Sequence, residues 1–191
     1  MKNLQHLIVL VIMILFSLGC NKNEEPRVMM QQYVVFSVSQ IDPLLLKDAS
    51  DIECPLDADG NLKIPTVAEV VINDTTYYPS TYYLNDKLYT QAIKLALPEG
   101  SATSYNISWF ALLESIGGDI IMATPLSGSY YADYVTSVVD FDINVSPFEK
   151  TEVQVDVLCY LTEACQLFGF SKQAKGQYST ARSNPYITPK P

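Results

Sequence analysis

The sequence predicts an all-β fold, an antiparallel β-sandwich built from residues 31–170. Three observations carry that prediction. Apolar and polar residues alternate with period two in one segment after another, as in strands half-buried against a core. The alternating runs are rich in Val, Ile, Tyr, Phe and Thr, which pack well on a pleated surface. Gly, Pro, Asn and Asp punctuate the runs, the turn chemistry of a β-sandwich.

Taken in order, Tyr33 to Val38 (YVVFSV) is the first strand. Thr66 to Ile72 places Ala68, Val70 and Ile72 on one face. Between Tyr89 and Leu97, residues Ile93, Leu95 and Leu97 face one way and Ala92, Lys94 and Ala96 the other. The run SYNISWFALLES aligns Tyr105, Ile107, Trp109, Ala111 and Leu113, which predicts that Trp109 is buried on the same face as Ile107 and Ala111. Gly117-Gly118-Asp119 then turns the chain, and IIMATP returns it as a hairpin partner. Phe141, Ile143 and Val145 alternate with Asp140, Asp142 and Asn144. Val153, Val155, Val157 and Cys159 alternate with Gln154, Asp156 and Leu158. Leu44 to Asp48 and Tyr130 to Val138 read as short helices or loops, and there is no internal repeat.

The first residues are of another kind. Lys2 is followed by an almost unbroken apolar run from Leu7 to Leu18, then Gly19, Cys20 and the polar Asn21-Lys22-Asn23-Glu24-Glu25-Pro26. A helix that spans a bilayer needs about 20 apolar residues. This run is shorter and has the length of a signal-peptide core behind a positive end. Ser17-Leu18-Gly19-Cys20 resembles a bacterial lipobox, with Ser17 where Leu is usual. The resemblance implies that residues 1–19 are cleaved and that Cys20 carries a diacylglycerol. Acyl chains contribute about 0.8 kcal/mol per buried CH₂, so two or three of them anchor a protein essentially permanently. Residues 20–30 then form a tether to the outer membrane. Lys22-Asn23-Glu24-Glu25 is similar to the Lys-plus-acidic tag of surface-exposed lipoproteins of Bacteroidota-type bacteria, which implies the cell surface rather than the periplasmic face.

Composition narrows the function. His6, the one histidine, lies in the signal peptide. Without it the chain has no imidazole for a Ser-His-Asp or Cys-His arrangement or for a zinc ligand. The expectation is a protein that is not an enzyme and has no cofactor, with a carboxylate-based hydrolase as the remaining catalytic alternative. The formal charge of −9 repels phosphate backbones, so no nucleic-acid partner is expected. From residue 171 the chain has no acid and three prolines, and it reads as a mobile or poorly packed tail, or as the product of a shifted or truncated coding sequence. Cys54, Cys159 and Cys165 follow Cys20, and an exported compartment permits disulfides. Cys159 with Cys165 is the expected pair, a strand end and its following loop; three reduced, buried thiols are the alternative.

The body, IKLALPEG, SYNISWFALLES and IIMATP followed by VDFDINV and EVQVDVLCY, is similar to the domain of many Bacteroidota surface lipoproteins over roughly Tyr89 to Tyr160. That resemblance implies a prealbumin-like or immunoglobulin-like sandwich and carries over no catalytic residue. A looser resemblance is to fimbrillins, fibre precursors cleaved after an arginine. Arg27 is the arginine placed to match, and it precedes the first strand rather than following it.

Four stretches qualify as candidate sites. DIECPLDADGN carries Asp51, Glu53, Asp57 and Asp59, but an EF-hand with Gly60 sixth would need acids where Pro55 and Thr66 stand. Asp59-Gly60 is therefore a hairpin turn, and no metal is expected. TTYYPSTYY concentrates Tyr77, Tyr78, Tyr82 and Tyr83, the candidate platform for a glycan or protein ligand, with Tyr130, Tyr131 and Tyr134 as a second group. Pro79-Ser80-Thr81 breaks the strand pattern, and of the pair after it only one is expected to be strongly exposed. Asp140 and Asp142 share a strand face and cannot flank a glycosidic bond. Asp74-Thr75-Thr76 resembles a short Bacteroidota O-glycosylation acceptor. The function expected is a non-catalytic binding, adhesive or structural role on the envelope. The alternative is an accessory subunit of a fimbria-like fibre or of a nutrient-uptake complex.

Overall fold

The computed structural model describes residues 29–41, 54–98, 101–160 and 165–170. The signal peptide, Cys20, Asp51, Glu53, the Leu44 to Asp48 segment and the tail from residue 171 lie outside them. Ten strands run in order: β1 Met29–Gln40, β2 Val67–Ile72, β3 Thr75–Tyr77, β4 Thr81–Leu84, β5 Lys87–Thr90, β6 Ile93–Pro98, β7 Thr103–Leu113, β8 Ile120–Ala123, β9 Phe141–Val145 and β10 Thr151–Cys159. The 3-10 turn Tyr130–Tyr134 falls in the stretch read as a short helix or loop. The fold is all-β.

The strands neighbour one another in the order β3-β2-β7-β8-β10-β1-β5-β4, with β6 also beside β1 and β9 beside β7. β1 and β10 run parallel, Val34 opposite Thr151 through Gln40 opposite Val157. The expected purely antiparallel arrangement is thus corrected to a mixed one. Alternation looks the same in parallel and antiparallel strands, and a parallel pair needs only a long intervening connection. Here most of the domain supplies it. β1 also starts at Met29, inside the segment read as tether.

Alternation builds the main core. Val34, Phe36 and Val38 of β1, Ala68, Val70 and Ile72 of β2, Ile93, Leu95 and Leu97 of β6 and Val153, Val155 and Val157 of β10 all join one buried cluster. Phe36 of β1 meets Phe110 of β7 with ring centroids 5.3 Å apart.

β7 departs from the expected pattern. Val71 pairs with Trp109 and Ile72 with Ile107, so Ser108 is an extra residue in the ladder. A bulge of this kind interrupts strict alternation. Ile107, Phe110 and Leu112 enter the main core, while Trp109, Ala111 and Leu113 enter a second cluster. Trp109 is buried as predicted, at 3% exposed, but not with Ile107. The second cluster includes Leu158, Tyr160, Cys165 and Phe168, with Tyr131 of the 3-10 turn, and Trp109 packs on Phe170 at 4.3 Å.

The disulfide joins Cys54 to Cys159, with Cα atoms 4.7 Å apart, and Cys165 is a free, buried thiol. This corrects the expected Cys159–Cys165 pair. The hairpin that begins at Cys54 brings its thiol to the end of β10, a contact between residues 105 apart in sequence that nearness along the chain could not reveal.

Candidate functional site

The tyrosine-rich stretch is built from two hairpins of one design. Asn73-Asp74 joins β2 to β3 and Asn85-Asp86 joins β4 to β5, and all four residues have positive φ, between 44° and 62°. Asn and Asp tolerate this conformation, and two-residue turns of this hand suit strand twist. Between the hairpins the Ala68 N–H donates to Pro79 O and the Thr81 N–H to Thr66 O, each at 2.9 Å. The Thr81 hydroxyl donates to Pro65 O at 2.8 Å.

This path separates the four tyrosines. Tyr77 packs against the main core. Tyr78 donates its hydroxyl to Glu69 Oε1 at 3.0 Å. Tyr82 and Tyr83 lie on β4 and are 43% and 60% exposed, followed by Leu84 at 54%. The expectation that only one of the pair is strongly exposed is corrected. Among the described residues β4 ends the strand path, so no described strand lies beyond it to cover either ring.

The two rings look in different directions. Tyr82 stands opposite Tyr89, Tyr89 opposite Ser37, and Ser37 opposite Gln154, all on the sheet's outer face. The Tyr82 and Tyr89 rings stack with centroids 5.9 Å apart. Tyr83 stands opposite Leu88 and Leu88 opposite Val38, a row that leads into the main core. A cavity of about 320 Å³ opens beside Tyr83 and is lined also by Ser37, Gln40, Asp86, Lys87 and Gln154, so it reaches the outer row that holds Ser37 and Gln154 as well. Tyr89 was missed in the sequence, although Asn85-Asp86 is a two-residue turn signal that places it opposite Tyr82.

The second tyrosine group is mostly structural. Tyr131 is buried and meets Phe168 at 5.0 Å, while Tyr130 is exposed. Glu69 is only 4% exposed on β2. Burial pushes its carboxyl above the ordinary value, and hydrogen bonding from Tyr78 and Trp109 partly offsets that.

The other acids are engaged locally. Asp57 Oδ1 accepts the Asp59 N–H at 2.9 Å and the Asn61 N–H at 2.8 Å, which closes the Asp59-Gly60 turn and lowers the Asp57 pKa. Asn106 Nδ2 donates to Asp140 at 3.2 Å and Asp142 at 3.1 Å, which ties β7 to β9. Buried Asp156 accepts the Thr136 N–H at 2.7 Å, the Ser137 N–H at 3.3 Å and the Thr136 hydroxyl, which fixes that loop on β10. Asp74 sits in the β2–β3 turn, and Thr75 and Thr76 are exposed on β3. Among the described residues no group of three or more His, Cys, Asp and Glu could hold a metal ion.

No family model matches this chain, and no curated protein matches it. Among solved structures it is similar to a leucine-rich repeat protein from Bacteroides thetaiotaomicron VPI-5482, at 18% identity and a TM-score of 0.36. The likeness covers 66% of this chain and 12% of that one, so the chain spans a small part of that protein's length.

Proposed function

We propose that this chain is a lipid-anchored protein of the bacterial outer membrane, carried at the cell surface, that binds a glycan or a protein through exposed aromatic side chains and performs no catalysis. In this reading the strands close as a prealbumin-like or immunoglobulin-like sandwich. The Phe36–Phe110 contact and the single core shared by β1, β2, β6, β7 and β10 support that finer description. The signal-peptide core and Ser17-Leu18-Gly19-Cys20 support the anchor.

One observation carries the binding reading. Tyr82, Tyr83 and Leu84 stand exposed in succession on a hairpin whose turn and register fix their directions. Large rings held on a short strand give contact area at low entropic cost. An accessory role in a fibre has less support. Strand exchange needs a long open edge, and on β4 the Thr81 N–H already donates to Thr66 O.

The test uses the full chain expressed in a diderm bacterium. Wild type takes up labelled palmitate and, solubilised, retains glycan or protein from envelope extracts; Cys20→Ala takes up no label. Palmitate entering Cys20→Ala contradicts the anchor, and wild type that retains nothing contradicts the binding role.

A further inference from the structure

The strands have two ends, and the chain enters at one of them. β1 starts at Met29, which stands opposite Pro98, the last residue of β6. Thr103, which opens β7, stands opposite Val145, which closes β9. The turn from β9 to β10 belongs to the same end. There the Gln32 side-chain amide donates to the Glu149 carbonyl, and Val34 stands opposite Thr151. Ile116, in the β7–β8 turn, lies beyond the other end of β7, about 33 Å away at the usual rise. The β4–β5 hairpin lies well up β1 from Met29, since Tyr89 stands opposite Ser37.

Phe148 is the odd residue of the entry end. It is 85% exposed, more than any other large apolar residue described, and Met29 at the same end is 52% exposed. Phe148 follows Pro147 and has a φ of +64°. After a proline, that is the turn position where Gly or Asn is usual. A bulky side chain there is an outlier and strains the backbone. A ring this exposed makes little contact with the protein, so packing does not offset the strain. Strain of that kind points to a role outside the fold.

The anchor decides what lies next to the ring. From Cys20 to Met29 there are nine residue steps, about 30 Å at full extension. About 5–8 Å of that reach lies within the headgroups, because the acyl chains on Cys20 begin at the hydrocarbon boundary. The entry end is therefore the part of the domain nearest the membrane. The charges around the turn are Glu149, Lys150 and Glu152, and Lys150 pairs with Glu152 at 3.9 Å. With two acids and one base the turn has no cationic cluster, so the surface it suits is one met by apolar contact rather than by anionic lipid. We infer that Phe148, with Met29 at the same end, inserts into the headgroup interface of the membrane that holds Cys20, and so turns the β4–β5 hairpin outward. An apolar side chain buried at that boundary adds to the hold of the acyl chains and gives it a direction. The inference rests on the lipid anchor proposed above and adds the face that the domain turns to the bilayer.

The experiment reads depth from tryptophan emission. The lipidated full chain is reconstituted in phosphatidylcholine vesicles whose acyl chains are plain or brominated, since bromine quenches a tryptophan that reaches it. Phe148→Trp and Met29→Trp report the entry end, Ile116→Trp reports the far end, and wild type supplies the background from buried Trp109. Far-UV circular dichroism matching wild type shows that a variant is folded. The emission added by Phe148→Trp is expected to fall by about half or more in brominated vesicles, and that added by Ile116→Trp to change by less than about a tenth. Should Phe148→Trp not fold, Met29→Trp gives the same reading, quenched for the inference and unquenched against it. Unquenched emission from a folded Phe148→Trp chain that floats with the vesicles overturns the insertion, leaves the anchor standing and assigns Phe148 to a protein contact. Equal quenching in Phe148→Trp and Ile116→Trp overturns the fixed orientation. A wild-type chain that does not float, or a Cys20→Ala chain that takes up palmitate, removes the anchor and the inference with it.

Discussion

Glu69 is the residue whose chemistry is least like its surroundings. It is a carboxyl on a strand buried on both faces, held by the Tyr78 hydroxyl and shifted upward by burial. The sign of its pH effect follows from that direction. The native state holds this proton more tightly than the unfolded chain does, so the stabilising contribution is fully present below the ordinary carboxylate range. It is lost as pH rises through the folded value. Urea midpoints of wild type and Glu69→Gln, compared from pH 4 to pH 8, are therefore expected to diverge in favour of Gln as pH increases. A constant gap, or one that moves the other way, contradicts the assignment. Trp109 gives a second test at this scale. Its ring packs on Phe170 in the second cluster, and Trp109→Ala is expected to lower stability by about 3–5 kcal/mol. Native emission already close to that of free tryptophan in water contradicts its burial. Trp109 was legible in the sequence as buried, whereas Glu69 offered only a lone acid in an apolar run.

Among the elements, the strands that read best are those with one buried face. β6 shows its inward residues by alternation, as does the start of β10 from Thr151 to Val155, whereas Val155 to Cys159 is buried at every position and Cys159 joins Leu158 in the second cluster. β7 does not, because Trp109 to Leu113 is apolar at every position and buried on both faces, and such a run has no period to read. The bulge at Ser108 is likewise silent, since nothing in Ile107-Ser108-Trp109 distinguishes an extra residue from an ordinary one. The disulfide was illegible for another reason: pairing depends on where the Cys54 hairpin docks. Non-reducing peptide mapping is expected to yield a Cys54–Cys159 peptide and a Cys165 that alkylates only after unfolding. A Cys159–Cys165 peptide contradicts this. A bridge closing a loop of about 100 residues stabilises by up to about 4.7 kcal/mol on chain-entropy grounds. Cys54→Ser is accordingly expected to lower the unfolding midpoint markedly.

At the scale of the whole molecule, the sequence makes the all-β class legible and leaves the proposed site only half visible. Tyr82 and Tyr83 stood out because they are adjacent and close to a proline. Tyr89 did not, because it joins Tyr82 only through the register of β4 with β5. In the proposed role, ring surfaces rather than carboxylates or a bound metal carry recognition. Stacking on a ring needs no ion pair, so it should be indifferent to chelators and only weakly sensitive to salt. The most direct measurement compares retention of envelope glycan or protein by wild type, by Tyr82→Ala with Tyr83→Ala, and by Asp57→Ala with Asp59→Ala, each with and without EDTA. The predicted result is loss in the tyrosine variant and retention in the aspartate variant, unchanged by EDTA. Retention that survives the tyrosine changes and disappears with the aspartates or with EDTA contradicts the claim.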